Sequence, residues 1–198
     1  LARERLRVLS ADSNAEALAE YERLRKSDPT DFGDAKRYGL ALAQSRIGQT
    51  EAADAELESL AQRHPGMYWI ELALAENDHR AGRRIRAEDR YNRLLSHLPR
   101  NRAVVLSYAR SLSEYGSAEA GRRAQDVLRP LLNESADDAA FQQSFARASE
   151  LAGDLVRAGE AYAETAYLSG RSEDALNQLE RLKQRDDLDY YQRARIDA

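Results

Sequence analysis

The stretch ALAQSRIGQTEAADAELESLAQRHP, residues 41–65, decides the fold once it is laid against residues 75–99, AENDHRAGRRIRAEDRYNRLLSHLP. A fixed shift of 34 carries Ala41, Gly48, Ala53, Leu57, Leu60 and Pro65 onto Ala75, Gly82, Ala87, Tyr91, Leu94 and Pro99, so six positions keep their chemical class. A second shift of 34 reaches Ala109 and Gly116. Three residues are then inserted, and the series resumes at Ala124, Leu128 and Leu131 before returning as Ala146, Gly153, Ala158 and Tyr162. A partial copy comes earlier, as Ala17, Tyr21, Leu24 and Pro29. Self-similarity at a fixed period of this length marks a stack of supersecondary units.

Each position has a mechanical reason. The small residue at the eighth place lets two helices approach closely. Glycine at the fifteenth sits just past the first helix, where a left-handed backbone is needed. Alanine at the twentieth is the close contact of the second helix, and large apolar residues four and seven later continue that face. Proline at the thirty-second cannot continue a helix and ends the second one.

Composition agrees. The 198 residues include 34 Ala and 26 Leu against 12 Val, Ile and Thr together, which favours helix over strand. The 30 basic and 34 acidic side chains are interleaved, giving a net charge of −4 and no basic block ready for nucleic acid. No apolar run approaches the ~20 residues of a membrane helix. Cysteine is absent, which excludes a disulfide framework and a cysteine-based zinc scaffold and leaves the redox compartment open. The chain starts at Leu1 without an apolar signal region and reads as part of something longer.

The spacing predicts an N-terminal helical segment and a lone half repeat over 1–33, then a repeat domain over 34–198. Full helix pairs are expected at about 34–64, 68–98 and 102–134, with a fourth repeat from about 137. Gly170 follows Gly153 by half a period, so one helix near 155–169 is expected to serve two successive repeats, and a capping helix near 188–198 closes the chain.

The 34-residue pattern resembles the tetratricopeptide repeat, with two departures: the early aromatic of the first helix is irregular, and Ala136 replaces the third-repeat proline. The resemblance implies an all-α solenoid of antiparallel helix pairs forming a right-handed superhelix, with a concave surface built from the first helices. Places 2, 5, 9, 12 and 13 tend to face that groove in this family. Here they yield candidate partner-binding residues Tyr38, Trp69, Leu72, Glu76, His79, Arg80, Leu106, Arg110, Gln143 and Arg147. Aromatic, aliphatic and arginine groups of this kind dominate binding hot spots. Each has a plainer reading beside it. Trp69 reads as packing between helices, Arg110 and Arg147 as surface salt bridges, and Tyr91 and Tyr162 as core. The run Arg83, Arg84 and Arg86 reads as a solvated turn and helix start, and His64 and His97 as cations at helix C-termini.

The last 40 residues are similar to something narrower. Tyr167-Leu168, Gly170-Arg171, Asp174-Ala175, Gln178-Leu179, Leu182 and the closing Tyr190-Tyr191-Gln192-Arg193-Ala194-Arg195-Ile196-Asp197 resemble the C-terminal repeat domain of BepA-family periplasmic zinc metalloproteases. That resemblance implies a periplasmic location and a peptidase domain bearing HExxH and zinc. It also implies outer-membrane β-barrel proteins, their assembly machinery and the peptidase domain itself as partners. No HExxH occurs in this chain, and none of His64, His79 and His97 is followed by Glu. The chain itself is therefore expected to be non-enzymatic and without a cofactor, binding a polypeptide for a catalyst that lies elsewhere. The alternative is a stand-alone repeat scaffold in bacterial secretion or envelope assembly.

Overall fold

The computed structural model describes residues 1–197; Ala198, the last residue of the expected capping helix, lies outside the described residues. Among the described residues there are twelve α-helices and no strand, and the chain is 77% helical. The contacts divide it into two compact units, Leu1–His97 and Leu98–Ala198.

Unit 1 contains α1 (Ala2–Leu9), α2 (Asn14–Ser27), α3 (Asp34–Arg46), α4 (Thr50–Arg63), α5 (Tyr68–Arg80) and α6 (Arg84–His97). Both α1 and α2 pack on α3, α4 lies between α3 and α5, and α6 pairs with α5. Unit 2 contains α7 (Arg102–Glu114), α8 (Ala118–Leu128), α9 (Ala139–Ala152), α10 (Leu155–Leu168), α11 (Ser172–Lys183) and α12 (Tyr190–Asp197). There α8 packs on both α7 and α9, α10 packs on both α9 and α11, and α12 rests on α11.

The repeat positions act as their chemistry requires. Ala41, Ala75, Ala109 and Ala146 are buried, as are Ala53, Ala87, Ala124 and Ala158. Gly48, Gly82, Gly116 and Gly153 follow the first helices with φ of 86°, 72°, 70° and 84°, the left-handed region that a side chain would strain. Gly121 brings α8 hard against α9: a Cβ there would lie 2.5 Å from the Ala152 backbone nitrogen. Asn101 caps α7 by accepting from the Ala103 and Val104 amides, and Asp138 caps α9 by accepting from Ala140 and Phe141. Asp138 also accepts from Arg102 Nε at 2.5 Å, tying the start of α9 to the start of α7.

The arginine run is not solvated throughout. Asp78, on α5, is wholly buried. Its carboxylate accepts from Arg83 Nε at 2.6 Å and from Arg90 Nε at 3.0 Å, with Arg86 Nε at 3.5 Å. Arg83 continues to Asp54 at 2.6 Å, and Arg90 to Glu58 at 2.6 Å and Glu71 at 3.1 Å. Asn77 joins by donating to Asp54 and to the Thr50 carbonyl. Burial acts to lower the Arg90 pKa, but the surrounding carboxylates outweigh it and raise it. The network joins α4, α5 and α6. Arg83 and Arg90 are thus fixed by a buried carboxylate, whereas Arg84 is exposed and pairs with Glu88 one turn on at 2.8 Å.

Removing the Asp78 carboxylate takes away the buried acceptor that Arg83 and Arg90 share and leaves Asp54 to Arg83 and Glu58 and Glu71 to Arg90. We expect Asp78→Ala to destabilise the chain by about 2 kcal/mol, while the exposed Arg84→Ala stays within about 0.5 kcal/mol; urea unfolding of the two variants checks the contrast. The Asp138 carboxyl is held below its ordinary pKa, first by the Arg102 hydrogen bond and then by the amides of Phe141 and Ala140. Its stabilisation is therefore complete above the unfolded value of ~3.9 and is lost as pH falls through the lower folded value. Asp138→Ala is expected to lower stability by about 1 kcal/mol near neutral pH, and the gap to wild type should close as thermal unfolding is followed down to acid pH.

Candidate functional site

The first helices of each unit present the groove places, but the two units use them differently. In unit 1 these places belong to α3 and α5, and α1 lies across them. Val8 of α1 is buried in the unit's core with Tyr38, Leu42 and Leu57. Arg5 of α1 donates from Nη2 to Glu76 Oε1 at 2.5 Å, and the two side chains are each only 13% exposed. The same guanidinium stands 5.5 Å from the centre of the Trp69 ring, within cation–π range. Glu4 accepts from the Tyr21 hydroxyl at 2.6 Å, and Arg7 pairs with Glu20 at 2.9 Å, so α2 holds the other side of α1.

The consequence for the expected site residues is direct. Tyr38 and Leu72 are wholly buried, with the Tyr38 hydroxyl donating to the Trp69 carbonyl at 3.1 Å. Trp69 and Glu76 are half-buried and engaged by Arg5. These four do not form an open surface: α1 supplies contacts to Tyr38, Trp69 and Glu76 that a partner would make, and Leu72 has no exposed surface. His79 is half-buried; Arg80 is exposed and donates to Ser45 Oγ at 3.3 Å. The gap left beside α1, lined by Arg5, Leu42, Arg46, Glu76 and Arg80 among others, is about 10 Å³, room for little more than one water.

In unit 2 the corresponding face is open. A cleft of about 530 Å³ lies along α7 and α9, lined by Leu106, Arg110, Ser113 and Glu114 from α7 and by Ala140, Gln143, Ser144 and Arg147 from α9, with Tyr162 of α10 at its side. This volume falls in the range of ligand-holding pockets. Leu106 is half-buried, while Arg110, Gln143 and Arg147 are exposed. Arg147 stands 3.8 Å from Glu150, a weak pair within one turn. Arg110 forms no ion pair among the described residues. Tyr162 is not core but borders the cleft, donating to Glu150 Oε2 at 2.9 Å; burial and then that carboxylate raise its pKa, so the phenol stays protonated. The structure therefore brings Leu106, Arg110, Gln143 and Arg147 together and separates them from the covered set in unit 1.

Sequence reasoning missed the seat of α1, whose short apolar pattern carries no mark of its docking site, and missed Tyr162, since the repeat assigns that place to core in every other copy. His64 donates from Nε2 to Asp34 Oδ2 at 2.6 Å, tying the end of α4 to the start of α3. Among the described residues no group of three or more His, Asp or Glu is placed to hold a metal. No helix among them is long and apolar enough to cross a membrane.

No curated protein matches the chain. Residues 37–66, most of α3 and all of α4, match the family model of the tetratricopeptide repeat. Repeats of this family generally mediate contacts between proteins and are typically non-catalytic. Residues 37–66 thus match the tetratricopeptide repeat, and the helix pairs around them are an all-α arrangement consistent with a solenoid of such repeats.

Proposed function

We propose that this chain is a polypeptide-binding module that works through the α7/α9 cleft, and that it is the substrate- and partner-holding C-terminal domain of a BepA-like periplasmic metalloprotease. The observation that carries the first part is the open cleft itself: an apolar floor at Leu106 and Ala140, two exposed arginines, and the amide and hydroxyls of Gln143 and Ser144 within one concavity. Mixed apolar and hydrogen-bonding groups of this kind suit an extended or helical polypeptide better than a small metabolite, which needs a more enclosed pocket.

The second part is supported by the sequence resemblance of residues 161–198. Tyr167, Tyr190 and Tyr191 in that stretch are exposed, with the last two in edge contact at 5.6 Å, an aromatic surface suited to a further protein domain. In this reading the zinc and the hydrolytic step belong to the peptidase domain, and the residues here only capture and orient. The partners are outer-membrane β-barrel polypeptides, the machinery that assembles them and the peptidase domain.

The test uses the purified chain and an unfolded outer-membrane β-barrel polypeptide held soluble by dilute urea. Wild type should retain it, and Arg110→Glu with Arg147→Glu should weaken retention by about tenfold, or ~1.4 kcal/mol, with the helical circular dichroism unchanged. Equal retention by a folded double variant would contradict the assignment of the cleft. Recovery of a full-length parent without an HExxH segment would contradict the protease reading and leave the scaffold.

A further inference from the structure

Unit 1 contains a worked example of how this architecture holds a helix, and unit 2 carries the same places with the charges reversed. In unit 1 the groove is α3 beside α5, and its occupant is α1. Its charged wall consists of Glu76, which takes Arg5, with Arg46 and Arg80; Leu151 takes the place of Arg80 in unit 2, and the other two charges are exchanged. The repeat register places Arg147 of α9 where α5 has Glu76, Glu114 of α7 where α3 has Arg46, and Arg110 where α3 has Leu42. Arg147 and Glu114 line the open cleft, as Glu76 and Arg46 line the filled one. The bulky Trp69, on which Arg5 lies in unit 1, corresponds to Ala140, which leaves room where unit 1 has a ring.

We infer that the α7/α9 cleft takes an amphipathic helix of a partner protein that presents a carboxylate where α1 presents Arg5, with an aliphatic residue three positions on, as Val8 stands to Arg5. This rests on the reading of the cleft as a polypeptide site and names the chemistry of what enters it. The carboxylate meets Arg110, which forms no ion pair among the described residues, and Arg147, whose only ion pair there is the loose 3.8 Å contact with Glu150. Charge-assisted hydrogen bonds from arginine to a carboxylate are stronger than those between neutral groups and can be bidentate. The carboxylate lies above Ala140, the counterpart of Trp69, and the aliphatic side chain packs along the methylene stem of Arg110, the counterpart of the Leu42 beside Val8. A second copy of this chain offering its own α1 is disfavoured by the same logic, because Arg5 would face Arg110 and Arg147.

The experiment uses the full chain and two lactam-bridged helical peptides of residues 1–10, one native and one carrying Arg5→Glu, each with a fluorophore for anisotropy. A bridge is needed because free helices of this length are marginal in water. The Arg5→Glu peptide should bind the chain at least about tenfold more tightly than the native one. Arg110→Glu with Arg147→Glu in the chain, both at exposed positions, should reverse that order while the helical circular dichroism is kept. Equal affinity of the two peptides for wild type, or an order unchanged by the arginine substitutions, would overturn the inference. Retention of the barrel polypeptide with no peptide preference would refute the charged-helix chemistry alone. Peptide preference without retention of that polypeptide would refute the barrel partner alone.

Discussion

Close approach of paired helices at alanine is the constraint from which the rest follows. Ala41 faces the interior of one pair and Ala53 its partner helix, and Ala75, Ala87, Ala109, Ala124 and Ala146 repeat the arrangement with almost no exposed surface. A larger side chain at these places would push the backbones apart, and the close packing of the larger residues around them, such as Leu57, Leu60, Tyr91 and Leu128, would be lost. The left-handed glycine after each first helix reverses the chain tightly enough for the second helix to return along it. Within each unit these two conditions bring successive first helices side by side. Places 5, 9 and 12 of neighbouring repeats then share one face.

That shared face explains how one architecture yields a filled groove and an open cleft. In unit 1 the chain folds its own first helix over the face, and a nearly dry Arg5–Glu76 pair fixes the register. Burial opposes the Arg5 charge, yet Glu76 and the hydrogen bond to it raise the pKa above the ordinary value, so Arg5 stays charged. In unit 2 the equivalent helices carry arginine in place of glutamate and leave a cleft of about 530 Å³. The difference between a structural face and a binding face thus lies in a few side chains and in what lies across them.

Much of this was legible in the sequence because the repeat is a local property. The helix pairs, the glycine turns and the closeness of Leu106, Arg110, Gln143 and Arg147 all follow from spacing along the chain. What escaped were contacts between partners far apart and without a period. Asp78 reads as one more polar residue on a helix, and only folding shows that Arg83 and Arg90 converge on it while Asp54 and Glu58 approach from α4. The nine residues from Leu1 to Leu9 read as a short helix with no destination. Val8 joins the cluster that holds Tyr38 and Leu42, and Arg5 meets Glu76, 71 positions away. Tyr162 misled because Tyr21, Leu57, Tyr91 and Leu128 at its place are all buried, whereas Tyr162 borders the cleft and its hydroxyl reaches Glu150.

The absence of cysteine makes the central claim, one groove covered by its own helix and one cleft open, directly measurable by thiol accessibility. Single cysteines would be placed by Leu42→Cys, beside α1 and clear of the Arg5–Glu76 pair, and by Gln143→Cys, and their alkylation rates compared in the native chain and in a chain lacking residues 1–10. The account predicts fast alkylation at 143 in both chains, and slow alkylation at 42 that becomes fast only when α1 is removed. Alkylation at 42 as fast as at 143 in the intact chain would show that α1 does not cover the groove, and the contrast between the two units would fail.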